Sequence, residues 1–306
     1  MAKHFIQIED YSIDQLQLLL TMSAELKELY RSGGRDTCLA GKTMAMVFEK
    51  PSSRTRISFQ VGMAQLGGAA IYLRTEDFGG LGKREPISDL TRVLNGYVDV
   101  IVARTFLHES VLELAQYAAV PVINALTDRA HPCQAMADLL TIRELFDKLE
   151  GVKLAYIGDG NNVARSLAFA CKKLGLNFVT ASPKGYELNG NLRDKLQDQG
   201  PGTVTCLTDP REAVQKADVI YTDTWTSMGQ EDQKQKRIRD FQGFQVNRAL
   251  LQATGRDTKV MHCLPAYRGL EIADDVIESP NSIIFQQAEN RLHFQRALLK
   301  YLIEIR

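Results

Sequence analysis

Short apolar runs of strand length alternate with longer amphipathic stretches through most of the chain. Residues 43–48 read as a buried strand, and 53–66 as a helix in which Ile57, Val61 and Ala64 recur at helical spacing before a Gly67-Gly68 stop. Segments 69–73, 98–103 and 120–123 repeat the strand pattern, and a helix is expected from near Pro132 to about Leu149. A second series opens at 153–157 and continues with strands at 177–180, 203–207, 219–222, 259–262 and 282–285. Residues 230–240 read as a mobile connection followed by a solvated helix. Phe294, Leu298, Tyr301, Leu302 and Ile305 form one stripe of a long final helix. Such alternation predicts an α/β fold: two doubly wound domains with mainly parallel sheets, the C-terminal helix packing back on the first. The expected division is 1–149, joined by the C-terminal helix 287–306, against 150–286.

Composition narrows the function classes. The 306 residues suffice for two domains, and 44% hydrophobic with 24% charged residues is the balance of a soluble globular chain. Thirty-seven basic and 37 acidic side chains cancel, leaving no overall field for nucleic acid or an anionic membrane. The first residues turn acidic at Glu9 and Asp10 before any apolar run, so neither a signal peptide nor a membrane anchor is expected. Five cysteines in a chain of this length give no disulfide framework, and a cytoplasmic location is expected.

The densest chemistry lies at Lys50-Pro51-Ser52-Ser53-Arg54-Thr55-Arg56, where the first strand should give way to a helix. Free backbone N–H groups and the helix dipole favour an anion there. Ser52, Ser53 and Thr55 add hydroxyls, and Arg54 adds a fork matched to phosphate oxygens, whereas Arg56 is expected to turn away. The plainer alternative is a capped helix with a solvated arginine. No Gly-x-x-x-x-Gly-Lys frame is present, so a small phosphorylated substrate is preferred to ATP.

His131-Pro132-Cys133-Gln134 should open another helix on the same sheet edge. A neutral His131 can donate to an oxygen that gains charge, and Gln134 has the donor and acceptor that a planar amide needs. Arg104 ends a neighbouring strand. A merely structural histidine is the alternative. A metal site from His131, Cys133, His262 and Cys263 is disfavoured, because neither pair has metal-ligand spacing, and no metal or cofactor is expected.

In the second half, Gly158-Asp159-Gly160-Asn161-Asn162, the segment from Asp223 to Gly229, and His262-Cys263-Leu264-Pro265 all stand at strand ends. They supply anions, amides, a hydroxyl and a thiol with few cations, which suits a zwitterion carrying an extra amine. The first is a partial dinucleotide fingerprint, so an NADP-dependent dehydrogenase stays open. Cys263 reads equally as a buried structural thiol, Asp223 as a cap or ion-pair member, and Trp225 as packing.

In order and spacing, Ser52-Ser53-Arg54-Thr55-Arg56, Arg104, His131-Pro132-Cys133-Gln134, Asp159-Gly160-Asn161-Asn162, His262-Cys263-Leu264-Pro265 and Ala288-Glu289-Asn290-Arg291 together resemble the aspartate/ornithine carbamoyltransferase family across nearly the whole chain. The loop Asp223 to Gly229, with its Ser-Met-Gly ending, looks like that of the ornithine-specific branch. The resemblance implies transfer from carbamoyl phosphate to the δ-amine of L-ornithine, in arginine metabolism. Another amine acceptor, N-acylated ornithine or putrescine, is the nearest alternative. By the same resemblance, Ser52, Ser53, Arg54 and Thr55 hold the phosphate, and Arg104, His131, Gln134 and Arg291 the carbamoyl end. Asn162, Asp223, Ser227 and Met228 would grip the α-amino and α-carboxylate groups, with Cys263 and Leu264 at the side-chain amine. Cys263, Arg104, His131, Arg54 and Thr55 are the catalytic candidates, and a homotrimer or multiple of trimers is implied. Two positions depart from the pattern. Ser53 stands where the ornithine enzymes usually carry threonine, and Gly80 where many relatives place a glutamine that reaches the adjacent subunit. Lys83 or Arg84 is the candidate replacement for that glutamine.

Overall fold

The computed structural model describes residues 3–226 and 231–305. Among the described residues, nine strands form two all-parallel sheets. The first has the order β2-β1-β3-β4, from β1 (Thr43–Phe48), β2 (Ala69–Arg74), β3 (Val100–Arg104) and β4 (Val122–Leu126). The second has the order β7-β6-β5-β8-β9, from β5 (Lys153–Ile157), β6 (Asn177–Ala181), β7 (Thr203–Leu207), β8 (Val219–Thr222) and β9 (Lys259–His262). Helices occupy the connections: α1 (Ile13–Arg31), α2 (Ser53–Gln65), α3 (Thr75–Phe78), α4 (Ile87–Asn95), α5 (His108–Tyr117) and α6 (Pro132–Phe146). The later ones are α7 (Asn162–Leu174), α8 (Asn191–Leu196), α9 (Pro210–Ala213), α10 (Lys234–Asp240), α11 (Arg248–Gln252), α12 (Asp274–Ile277) and α13 (Ile284–Lys300).

The chain divides into two compact units, one of residues 1–140 with 290–306 and one of residues 141–289, so the divisions fall inside α6 and α13. From Asn290 onward the C-terminal helix lies in the first unit. Its Phe294 meets Phe5 at 5.8 Å between ring centroids, and Tyr301 meets Tyr11 at 6.5 Å. In the first unit, Ala45, Val47, Ile101, Ala103 and Val122 pack with Val111 and Leu114 of α5. In the second, Ala155, Ile157, Ile220 and Val260 pack with Trp225, Phe241 and Phe244. These strands are buried on both faces, which is why they read as continuous apolar runs.

Local signals set the helix starts. Ser12 and Gln15 form a capping box on α1, Ser52 caps α2, and Asn161 caps α7 through the N–H groups of Val163 and Ala164. Gly175, at φ 83°, ends α7 in the left-handed conformation.

Two expectations are corrected, and one helix, present as read, buries a different face. Residues 282–285 do not form a strand. Ser282 makes a single bridge to Val260, and the chain then turns into α13 with the Gln287 N–H donating to Ile283. A β-branched run there imitates a strand, but it has only that one pairing. The Ile57, Val61 and Ala64 stripe of α2 is not its core face. Phe59, Gly62 and Met63 are buried, whereas Ile57 is 57% and Val61 38% exposed. Second, α10 is a helix with solvated lysines, yet Arg237 within it is buried.

Candidate active site

In each sheet the strand order reverses once, between β1 and β3 and between β5 and β8. Loops leaving the carboxyl ends there open a crevice on which α/β folds place ligands. Most of the described candidates stand at or just past strand ends: Ser52 to Thr55 after β1, Arg104 at the end of β3, His131 and Gln134 after β4, Asn162 after β5, Asp223 after β8, and Cys263 and Leu264 after β9, whereas Arg291 lies on α13.

In the first unit, Thr55 is the hub. Its buried hydroxyl oxygen accepts from Arg291 Nη2 at 2.8 Å, from Ser52 Oγ at 3.1 Å and from Arg104 Nη1 at 3.5 Å. Three donors thus converge on an oxygen with two lone pairs, so the nest is rich in donors. Arg104 is brought in by the end of β3, where its C=O accepts the Glu49 N–H at 2.8 Å, and Arg291 by α13. Both guanidinium groups are buried. Ser53 and Arg54, on the same first turn of α2, are exposed, and Arg56 turns away to Gln60 and the Tyr72 ring.

His131 is buried beside this nest. Burial, reinforced by the charges of Arg291 and Arg104, holds its pKa well below the usual 6.5, so the imidazole is neutral. Gln134 gives its amide N–H to Asp138 at 2.8 Å and leaves its carbonyl oxygen buried without a hydrogen-bond partner among the described residues. Cys133 donates to the Asn124 carbonyl at 3.5 Å, and burial pushes its thiol up to about 12, which marks it as structural.

In the second unit, Asp223 gathers the donors. One carboxylate oxygen accepts from Asn161 Nδ2 at 2.8 Å, and the other from the Thr224 N–H at 2.8 Å and the half-buried Cys263 Sγ at 3.0 Å. Asn162, half-buried, opens α7. Leu264 is half-buried with φ 58°, and the Leu264–Pro265 peptide is cis. Ser227 and Met228 lie outside the described residues. Trp225 is packing: it stacks on Phe241 with ring centroids 5.5 Å apart.

Asp223, His262 and Cys263 place ligand-type atoms within 4.8 Å of one another. The imidazole of His262 is committed elsewhere, however. Its Nδ1 accepts the Leu264 N–H at 2.8 Å and its Nε2 lies 3.1 Å from Glu271. The dinucleotide reading also meets an obstacle. The Gly160 N–H donates to the Tyr186 carbonyl at 2.7 Å, and a Cβ on Gly160 would stand 2.4 Å from the Leu188 backbone nitrogen. That glycine admits the chain's own loop where a dinucleotide enzyme admits pyrophosphate.

Three residues escaped the sequence reading. Asn161, not only Asn162, reaches the site by binding Asp223, and Tyr156 directs its hydroxyl to Asn161 at 3.3 Å. Arg237 pairs with Asp159 at 2.6 Å. An asparagine at a cap position was a usable signal for the first; a tyrosine inside a strand and an arginine in a basic run gave none. In the loop before α4, Gly80 has φ 92° and its Cβ position is crowded by the Lys83 stem at 2.9 Å, while Lys83 and Arg84 are exposed.

Known proteins bear on both units. Residues 3–144 match the family model for the aspartate/ornithine carbamoyltransferase carbamoyl-P binding domain, and residues 150–302 match that for the Asp/Orn binding domain. A protein of Anoxybacillus flavithermus named ornithine carbamoyltransferase is 52% identical over 99% of this chain and 97% of its own length. One of Bacillus subtilis with the same name is 50% identical over 99% and 94%. The solved ornithine carbamoyltransferase of Pyrococcus furiosus superposes with a TM-score of 0.95 at 47% identity, covering 98% of this chain and 96% of that one. With both units matched and such identity along nearly its full length, the chain belongs to the aspartate/ornithine carbamoyltransferase family.

Proposed function

We propose that this chain transfers the carbamoyl group of carbamoyl phosphate to the δ-amine of L-ornithine, giving L-citrulline and phosphate, in arginine biosynthesis. The observation that carries the reading is the Thr55 nest, in which Arg104 and Arg291 converge on one hydroxyl beside a neutral His131 and the open Gln134 carbonyl. The phosphate takes the donors of Ser52, Ser53, Arg54 and Thr55 at the α2 N-terminus. The carbamoyl NH2 satisfies the Gln134 oxygen, and the carbamoyl C=O accepts from Arg104, His131 and Arg291. Asp223, with Asn162, Ser227 and Met228, holds the amino-acid end of ornithine, and Cys263 and Leu264 address its side-chain amine.

The nucleophile is the neutral amine. An alkyl amine with a pKa of about 10 is mostly protonated at neutral pH, so binding selects or generates the deprotonated form. A C–N bond forms at the carbamoyl carbon, the C–O bond to phosphate breaks, and one proton is released. Arg104 and His131 stabilise the oxygen that gains charge in the tetrahedral intermediate, and orientation supplies much of the remainder.

Assembly as a trimer or a multiple of trimers is supported by the exposed apolar stripe of Ile57 and Val61 beside Ile71 of the edge strand β2, itself 49% exposed. No helix of the described residues is long and apolar enough to cross a membrane. Five cysteines in a chain of 306 residues, an odd number without a disulfide framework, favour the reducing cytoplasm.

An acceptor panel tests the reaction. With carbamoyl phosphate present, ornithine should release phosphate and yield citrulline, whereas N-acetylornithine, putrescine and aspartate should not. A better kcat/KM with any of these three would replace ornithine as the substrate. Analytical ultracentrifugation of Ile57→Asp, expected to sediment as monomer beside a larger wild type, tests the assembly.

A further inference from the structure

Arg237 is the one buried residue of a helix otherwise exposed or half-exposed. Its neighbours Lys234, Lys236 and Arg239 are solvated, as the composition of α10 leads one to expect. The guanidinium points instead into the sheet edge. Its Nη1 donates to Asp159 Oδ2 at 2.6 Å and to the Trp225 carbonyl at 2.8 Å, and its Nε lies 3.4 Å from Gln233 Oε1. The face of the Tyr186 ring lies 5.0 Å from the guanidinium carbon.

Asp159 and Trp225 stand on different loops. One leaves the carboxyl end of β5 and the other that of β8, which pair directly with Ile157 opposite Thr222. This is the place where the strand order of the second sheet reverses, so one side chain fastens both lips of the crevice. From Asp159 the connection continues. The Asn161 N–H donates to the Asp159 carbonyl at 2.7 Å, and the Asn161 side chain donates to Asp223 at 2.8 Å.

Resting on the reading of Asp223 as an ornithine-binding carboxylate, we infer that Arg237 is a positioning residue, which acts through Asp159 and Asn161 to set the Asp223 carboxylate for the amino-acid substrate. It also separates two acidic groups by role. Burial raises the Asp159 pKa, and Arg237 opposes that by pairing with its carboxylate. Asp159 is thereby neutralised within the fold, which leaves Asp223 as the carboxylate that faces the substrate. Without Arg237, Asp159 either takes up a proton or competes for the substrate's amine, and in both cases the turn carrying Asn161 is released.

The experiment is steady-state kinetics of wild type, Arg237→Met, Arg237→Lys, Asp159→Asn and the Met/Asn double variant, with melting temperatures alongside. Arg237→Met should raise the ornithine KM at least about tenfold while the carbamoyl phosphate KM stays within about twofold. Arg237→Lys, which keeps the charge and loses the planar fork, should fall between Met and wild type. Because the two groups act as a unit, the double variant should be no worse than Arg237→Met alone. If Arg237→Met does not fold, Asp159→Asn must show the ornithine-specific rise by itself. An unchanged ornithine KM in these variants overturns the inference, as does a loss shared equally by both substrates together with a lowered melting temperature. A wild type that yields no citrulline overturns instead the functional reading on which the inference stands.

Discussion

At the carboxyl ends of β1, β3 and β4 the loops and their helices deliver guanidinium groups, hydroxyls and a neutral imidazole, whereas at the ends of β5, β8 and β9 they deliver carboxylates, amides and a thiol. The scaffold is the same in both units: parallel strands, one reversal of order, and ligand-bearing loops on one edge. What differs is how the charge is held. In the first unit, buried cations share the hydroxyl of Thr55 and a histidine is kept neutral by burial and by their charge, which leaves a nest rich in donors. In the second, a buried cation pairs with one carboxylate, Asp159, while another, Asp223, takes amide and thiol donors. The two nests thus differ in charge through the residues set at the strand ends and on the loops and helices beyond them, on a shared scaffold.

The contrast can be broken most severely at His131. His131→Ala should lower kcat by about 10²–10³, with a smaller change in carbamoyl phosphate KM, since the lost donor serves mainly the transition state. Turnover near the wild-type rate would remove His131 from the carbonyl site. In the other unit, Asp223→Asn should raise the ornithine KM by about 10² and leave the carbamoyl phosphate KM unmoved, because a charge-assisted contact becomes a neutral one. If both constants rise together, the two regions are not chemically separate.

A smaller effect follows from the neutrality of His131. Its folded pKa lies well below 6.5, so as pH falls past that value the unfolded chain binds a proton that the folded chain refuses. Stability from this group is complete above about 6.5 and declines below it, by up to about 1.4 kcal/mol per pH unit. Denaturant titrations of wild type and His131→Asn between pH 7.5 and 5 should show a steeper loss in the wild type. Parallel slopes would mean that the imidazole protonates in the folded state. The smallest expected effect concerns Lys83 and Arg84, which are exposed in the loop where Gly80 cannot reach a neighbour. Alanine at one of them should raise the carbamoyl phosphate KM about threefold, and unchanged values for both would remove the loop from the nest.

Much of this contrast was legible in the chain itself. β1, β5, β8 and β9 span the predicted residues because a strand buried on both faces can only be a short apolar run. Thr55, Arg104, His131 and Gln134 could be read because each sits where a strand ends, and Trp225 was rightly assigned to packing. Three features lay beyond local pattern, for one reason. The stripe of Ile57 and Val61 has the period of a core face, but periodicity reports that a face is apolar without naming what covers it. Residues 282–285 have strand composition and lack strand partners. Arg237 looks like any cation in Lys-Gln-Lys-Arg, and its role depends on a carboxylate 78 positions away in sequence. Local pattern cannot encode a partner at that distance.

Helix α2 carries a consequence for concentration. On the proposed reading its first turn receives the dianion, and its flank carries the exposed apolar stripe. A subunit seated on that flank steadies the same 13 residues that must hold still around the ligand. The two events then share a coupling free energy, and each tightens the other by the same factor. If the proposed assembly holds, dilution that disperses the subunits should loosen the grip on the anion without altering any residue that touches it.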